Sequence, residues 1–207
     1  MEALLREQWY SLTGRLRDID AVERRHEPSG LGSWSVGDLI AHLGYGIAMI
    51  VEIEPASSGT RAISVGQYLA GYQAAASTIE HQTQQLNLRL GEQLLDGIES
   101  MAQSAWHSLE RRRPSVVVGR RGPLVMDDYL LTRLIELVIH GDDLHRAIGA
   151  GTRSPVLGTA LVIVSDALAA AHLEMHGVRP ENRDPLTWVR QASGRAASGG
   201  TTASVLG

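Results

Sequence analysis

The chain has no cysteine and no phenylalanine, and it has only four tryptophans in 207 residues. The missing cysteine excludes disulfides, a protein thiolate nucleophile and any Cys-ligated metal site. Sulfur chemistry, if there is any, must use a thiol carried by another molecule. The missing phenylalanine makes the core aliphatic. A cationic excess is absent too: the formal net charge is −4 and the pI about 6.0, which gives no general attraction to nucleic acid or anionic membranes. No uninterrupted apolar run reaches membrane-spanning length, and the start MEALLREQWYSLTGRLRD is charged and amphipathic, without an apolar signal core. These absences predict a cytoplasmic protein with neither a nucleic-acid nor a membrane partner.

What is present suffices for one core, since 43% of the residues are hydrophobic and 20% charged. Leu5, Trp9, Leu12, Leu16, Ile19 and Val22 recur at spacings of three and four, which predicts a helix over 4–22. Ser35 with Asp38 three residues on is a start signal for a second helix reaching Glu54, followed by a loop from Pro55 to Thr60. Further helices are expected over 64–86, 92–110 (ended by RRRP), 126–148 and 156–176 (stopped by Gly177). VVV at 116–118 reads as an isolated short strand. The clusters Arg111, Arg112, Arg113 and Arg120, Arg121 flank Pro or Gly and read as solvated connections. Long helices with short links predict an antiparallel bundle over 1–177. Residues 178–207 read as an extension, with a short helix in DPLTWVRQASGR and a flexible tail in SGGTTASVLG.

Two of these helices are too apolar for ordinary surface elements. In LIELVIHGDDLH, residues 134–145, Glu136 and His140 lie one turn apart, on a stripe that Arg133 begins and Asp143 extends. The second helix puts Asp38, His42, Tyr45 and Glu52 near one stripe, while Leu39, Ile40, Leu43, Ile47, Ile50 and Val51 cover most other directions. Each stripe is either the solvent-facing edge of a mostly buried helix or half of a shared site. In the second case His42, Glu136 and His140 converge on one divalent metal inside the bundle, where an unpaired carboxylate would be costly.

WSVGDLIAHLG followed by LLTRLIELVIHGDDLHRAIG resembles the paired signature of the mycothiol-dependent maleylpyruvate isomerase family, within the wider DinB-like superfamily. The resemblance implies an all-α, DinB-like up-down four-helix bundle with extra helices. It also implies zinc, or another divalent metal, on His42, Glu136 and His140, and mycothiol as thiol cosubstrate. Arg133 and Asp143 match flanking motif positions and are implied to act on ligands or on the thiol. Longer family members carry a folded C-terminal domain, whose start DPLTWVRQASGR resembles. Of the family's substrate-binding arginine, the stretch from 27 to 88 offers only Arg61.

Three ligands of His₂Glu type leave zinc a fourth position, as in catalytic sites. A small-molecule thiol held there as thiolate would attack a small electrophile, giving an S-transferase or isomerase. The same ligands would also suit a thiol-independent metallohydrolase or a non-catalytic metal- or ligand-binding module, and a homodimer stays open. "HLEMH" places His172 and His176 four apart at a helix end, where cations favour the dipole, and reads as a polar terminal turn. His26, His81, His107 and His145 have no partner at ligand spacing and read as surface residues.

Overall fold

Helix α1 (Glu2–Asp18) forms where Leu5, Trp9, Leu12 and Leu16 share one face, and all four are buried. It stops short of residue 22 because Asp20 takes a φ of 49°, in the left-handed region where a helix cannot continue. Ile19 and Val22 still pack against the core from the turns that follow. The computed structural model of the chain describes residues 1–149, 151, 153–180, 184–195 and 205. Over these residues the fold is all-α, a DinB-like helical bundle carrying one small sheet.

Helix α2 (Val36–Ala48) begins with a complete capping box: Ser35 accepts from the Asp38 backbone, and Asp38 accepts from the Ser35 N–H. It ends before the expected Glu54, because the chain turns there to supply strand β1 (Glu54–Pro55). The stretch 64–86, expected as one helix, is divided at Gly71 into α3 (Val65–Ala70) and α4 (Tyr72–Leu90). A tight 3₁₀ turn over Gly91–Gln93 leads into α5 (Leu94–Arg111). A Cβ on Gly44 would sit 2.3 Å from Ile98 Cγ2, so only glycine lets α2 and α5 approach this closely.

Val116–Val118 is not isolated. Strands β2 (Val116–Gly119) and β3 (Gly122–Val125) form an antiparallel hairpin whose two-residue turn is Arg120–Arg121, and β1 pairs with the far side of β2 in the order β1-β2-β3. β1 is two residues long and β3 contains Pro123, so neither leaves an alternating pattern in the sequence. Helix α6 (Met126–Ile148) has the bounds its periodicity predicts, and α7 (Gly158–His176) stops at Gly177, whose φ is 71°. Asp184 caps α8 (Pro185–Ala192), which starts on Pro185.

Helix α2 is central, packing on α4, α5 and α6, while α1 lies across α5 and α6. Helix α7 packs on α3, α6 and α8, and Trp188 and Val189 of α8 join the same hydrophobic cluster as the bundle. Val205, from the tail expected to be flexible, is buried and its N–H donates to the Ala192 carbonyl at 2.8 Å. The other residues of that tail beyond Arg195 lie outside the described ones. No uninterrupted apolar run spans a membrane, but by length and composition α7 is long and apolar enough to cross one, with a mean hydropathy of 1.3 over a window 28% buried. In this fold its inner stripe, Ala160, Val164, Leu168 and Ala171, packs inward while Asp166 and Glu174 interrupt the rest.

Candidate metal centre

The stripes of α2 and α6 face one another. Nε2 of His42 lies 3.3 Å from Glu136 Oε2, and Nε2 of His140 lies 3.2 Å from the same oxygen. One ligand atom from each of the three residues falls within 4.8 Å of the others, and the described residues contain no other such group of three. The two imidazoles sit edge to face with centroids 4.7 Å apart, and the Trp34 indole covers both, 5.0 Å from His42 and 6.4 Å from His140. His42 and His140 are buried, so the solvent-edge reading of the stripes does not describe these side chains.

The outer nitrogens are also held. Nδ1 of His140 lies 3.0 Å from Asp143 Oδ2, and Nδ1 of His42 lies 3.4 Å from Thr83 Oγ1 on α4. Such contacts fix ring orientation and leave both Nε2 atoms aimed at the gap between the helices. Asp143 in turn accepts from Arg146 at 2.5 Å and from Arg195 at 3.2 Å, and Arg190 donates to both oxygens of Asp142 at 2.8 and 2.7 Å. The turn after α8 is thereby tied to the end of α6, one turn from the triad.

Protonation follows from this packing. Burial pushes His42 down, and the opposing Glu136 does not restore it. Burial acts on Glu136 toward the neutral acid, but the hydrogen bonds to His140 and His42 outweigh it and hold the carboxyl well below its usual range. Burial also opposes charge on His140, yet Asp143 and Glu136 prevail and raise it. A neutral imidazole, a carboxylate and a second imidazole that must shed its proton form a donor set suited to a divalent cation.

That proton gives a pH dependence with a definite sign. Below the raised pKa of His140 a proton occupies the nitrogen a metal needs, so metal affinity should fall about tenfold per pH unit on the acid side. Asp143→Asn removes the charge that raises His140. Titration of the variant with a divalent ion should give about tenfold weaker binding at neutral pH and an acid limb displaced to lower pH. An unchanged limb would mean that Asp143 does no more than hold the Arg146 and Arg195 side chains.

Three cavities touch residues of the triad. A space of about 320 Å³ directly over it touches Trp34, His42, Tyr72, Glu136, His140 and Arg195. A second cavity, of about 290 Å³, shares His42, Tyr72 and Glu136 with it and is walled by Tyr68, Tyr129, Arg120, Arg121 and Arg133. A third, of about 540 Å³, shares Trp34, His140 and Arg195 with the first.

Arg133 is 5% exposed and makes no ion pair among the described residues. Its guanidinium donates to Tyr72 Oη at 2.9 Å, to Thr132 Oγ1 at 3.1 and 3.2 Å and to the Gly46 carbonyl at 3.5 Å, all uncharged acceptors. Arg121 stacks 3.7 Å from the Tyr72 ring centre, with a buried Nε that has no hydrogen-bond partner. Arg120 donates to Glu52 at 3.0 Å and to Tyr45. Arg120 and Arg121 do form a connection, with Arg120 exposed as read, and the hairpin turn also brings both to the cavity. Arg61 is exposed and does not line it. Asp143 likewise does not line the tyrosine cavity; it stands behind His140.

The structure brings together the expected His42, Glu136 and His140. It adds Trp34, Thr83, Arg121 and Arg195, for which the sequence carried no periodic signal, and Tyr72, which periodicity placed only on the apolar face of the helix expected over 64–86. His172, expected at a polar turn, is buried against Trp188 with Nδ1 3.0 Å from the Val178 carbonyl, and His176 is exposed. His145 is partly buried, and His26, His81 and His107 are exposed.

A search of curated proteins and of solved structures finds no match to this chain. The family described as the mycothiol maleylpyruvate isomerase N-terminal domain matches residues 5–145, a span that runs from the first buried leucine through both helices of the triad. With the match covering well over half of the sequence, the chain belongs to the mycothiol maleylpyruvate isomerase N-terminal domain family.

Proposed function

We propose that the protein is a metal-dependent S-transferase or isomerase that uses a low-molecular-weight thiol, mycothiol, on a small electrophile bearing an acidic group, with zinc as the metal. The observation that carries this reading is the convergence of a His₂Glu set whose residues line cavities of different chemistry, an arrangement with room for two reactants beside the ligands. A zinc ion, when bound, supplies positive charge that favours the thiolate over the thiol at neutral pH.

The chain's own residues do the rest. His42 and His140 hold their Nε2 atoms toward the gap because Thr83 and Asp143 fix the rings. Arg133 and Arg121 supply the charge that an acidic electrophile needs, in a setting where neither has a carboxylate partner among the described residues. Tyr72 keeps its proton, since burial raises its pKa, and it stays a neutral hydrogen-bond donor beside the reacting groups. The rings of Tyr68, Tyr72 and Tyr129 exclude water from that side.

The test uses the cobalt-substituted protein, because zinc is spectroscopically silent. Adding mycothiol should produce a sulfur-to-metal charge-transfer band that grows with pH below the thiol's pKa of ~8.5. Electrophile should be consumed only when thiol and metal are both present. Consumption without thiol would replace this reading by a hydrolase, and no band at saturating thiol would reduce the protein to a binding module.

A further inference from the structure

Helix α4 is built differently along its length. No side chain over 72–82 is buried, whereas Thr83 and Leu86 are, and Asn87 donates to Asp38 Oδ1 at 2.9 Å. The start of the helix is weak as well. Helices α2 and α3 each open on a complete capping box, but α4 opens on Gly71, which offers no side-chain acceptor to the first N–H groups, and no acidic residue stands in its first turn. Ala74, Ala75 and Ala76 keep these turns helical through intrinsic propensity and not through burial. Tyr72 packs against the hydrophobic cluster, while Ile79 does not. Polar ties fasten the segment: Tyr72 Oη accepts from Arg133 at 2.9 Å, Arg121 stacks on the Tyr72 ring, Ser33 donates to Glu80 Oε1 at 2.6 Å, and Gln82 Oε1 accepts from Tyr45 and Arg120.

The same turns wall the site. Tyr72 and Ile79 line both the tyrosine cavity and the space over the triad, with Ala75 on the first and Ala76 on the second. We propose that residues 72–82, about three turns of α4, are a lid that opens by local unfolding from Gly71 as far as Thr83, with Tyr72 as its latch on Arg121 and Arg133. Segmental opening at low cost is what a stretch with few buried contacts allows. Opened, the lid bares Arg133, otherwise 5% exposed, to a solute. Closed, it returns Tyr72 to the guanidinium. Thr83 stays buried 3.4 Å from His42 Nδ1, so the histidine keeps its place while the wall beside it moves. The lid depends on neither metal nor thiol.

Hydrogen exchange of the full chain, read by mass spectrometry, should show amides 76–82 exchanging at least about tenfold faster than 84–90. Tyr72→Phe, which loses the hydrogen bond to Arg133 and keeps the ring, should speed 76–82 by a further several-fold and leave 84–90 unchanged. Access is tested with phenylglyoxal, a small reagent for guanidinium groups. Because the chain has no cysteine, Ser33→Cys combined with Glu80→Cys can be joined by a short bis-thiosulfonate linker that ties the lid down. In the linked protein 76–82 should slow to the rate of 84–90. Its Arg133 should be modified at least about tenfold more slowly than in the same variant capped with a methyl thiosulfonate, while the exposed Arg111 reacts alike in both. Uniform exchange along α4 would overturn the lid, and so would modification of Arg133 at one rate in the linked and capped proteins, none in either included. A Tyr72→Phe that speeds 76–82 and 84–90 alike would overturn the latch.

Discussion

Protein purified without added metal should carry about one divalent ion per chain, and His140→Ala should retain less than about a tenth of it. The expectation follows from geometry. His140 supplies one of three nitrogen or oxygen atoms lying within 4.8 Å of one another, and its ring is fixed from behind by Asp143. With one ligand gone, the remaining two have neither the number nor the tetrahedral spread that zinc requires. His42→Ala and Glu136→Ala should behave alike. The fold should survive in each case, because the bundle core is made by Leu39, Leu43, Leu134, Leu137 and Val138 rather than by the ligands. The matched control is His172→Ala combined with His176→Ala, which removes a pair at the same spacing and should leave metal content unchanged. Elemental analysis of the five proteins decides the matter, and stoichiometric metal in all three ligand variants would sink the assignment.

Why was the triad legible in the sequence while the cavities beside it were not? A helix in an aliphatic core leaves a period of 3.6, so a Glu and a His one turn apart on α6 stand out against Leu, Ile and Val. The capping box of Ser35 and Asp38 likewise fixes where α2 starts, and therefore which way His42 faces. Bounds failed where local chemistry broke a continuing pattern: at Asp20 with its positive φ, and at Gly71 between α3 and α4. The hairpin was missed for a different reason. Its strands are four residues or fewer, and pairing between Val117 and Leu124 is a tertiary fact with no periodic trace. Arg120 and Arg121 were thus read from their neighbours Gly119 and Gly122 as a solvated connection; Arg120 is exposed, but the hairpin also lays the two over Tyr45, Tyr68 and Tyr72, which nothing in the sequence announced. Trp34, which roofs both histidines, sits ahead of the helix cap, where spacing rules do not operate. The grip of Arg190 and Arg195 on Asp142 and Asp143 spans some fifty residues and is equally silent in the sequence.

Arg133→Met should separate activity from stability more sharply than any other single change. A buried guanidinium hydrogen-bonded only to Tyr72, Thr132 and the Gly46 carbonyl has given up water without an ion pair, the Glu136 carboxylate acting on it only through space, so an unbranched apolar side chain in its place should cost the fold little. The unfolding midpoint should stay within about 4 °C of wild type, the shift that one kcal/mol produces at this chain length. Catalysis should respond differently. If Arg133 is the charge that the acidic group of the electrophile meets, its loss removes a charge-assisted hydrogen bond of about 1.5–3 kcal/mol in a site walled by tyrosines, which is roughly ten- to a hundredfold in kcat/KM. The discriminating measurement pairs an acidic electrophile with its neutral amide. Wild type should prefer the acid, and Arg133→Met should lose that preference chiefly by slowing the acid, while zinc content and the charge-transfer band with mycothiol stay as they were. Arg121→Met should move the preference the same way by a smaller factor, because Arg121 is only partly buried. Equal losses on acid and amide would show instead that Arg133 holds Tyr72 in place and does not meet the substrate's charge. An unchanged preference would remove the anion from the tyrosine cavity altogether.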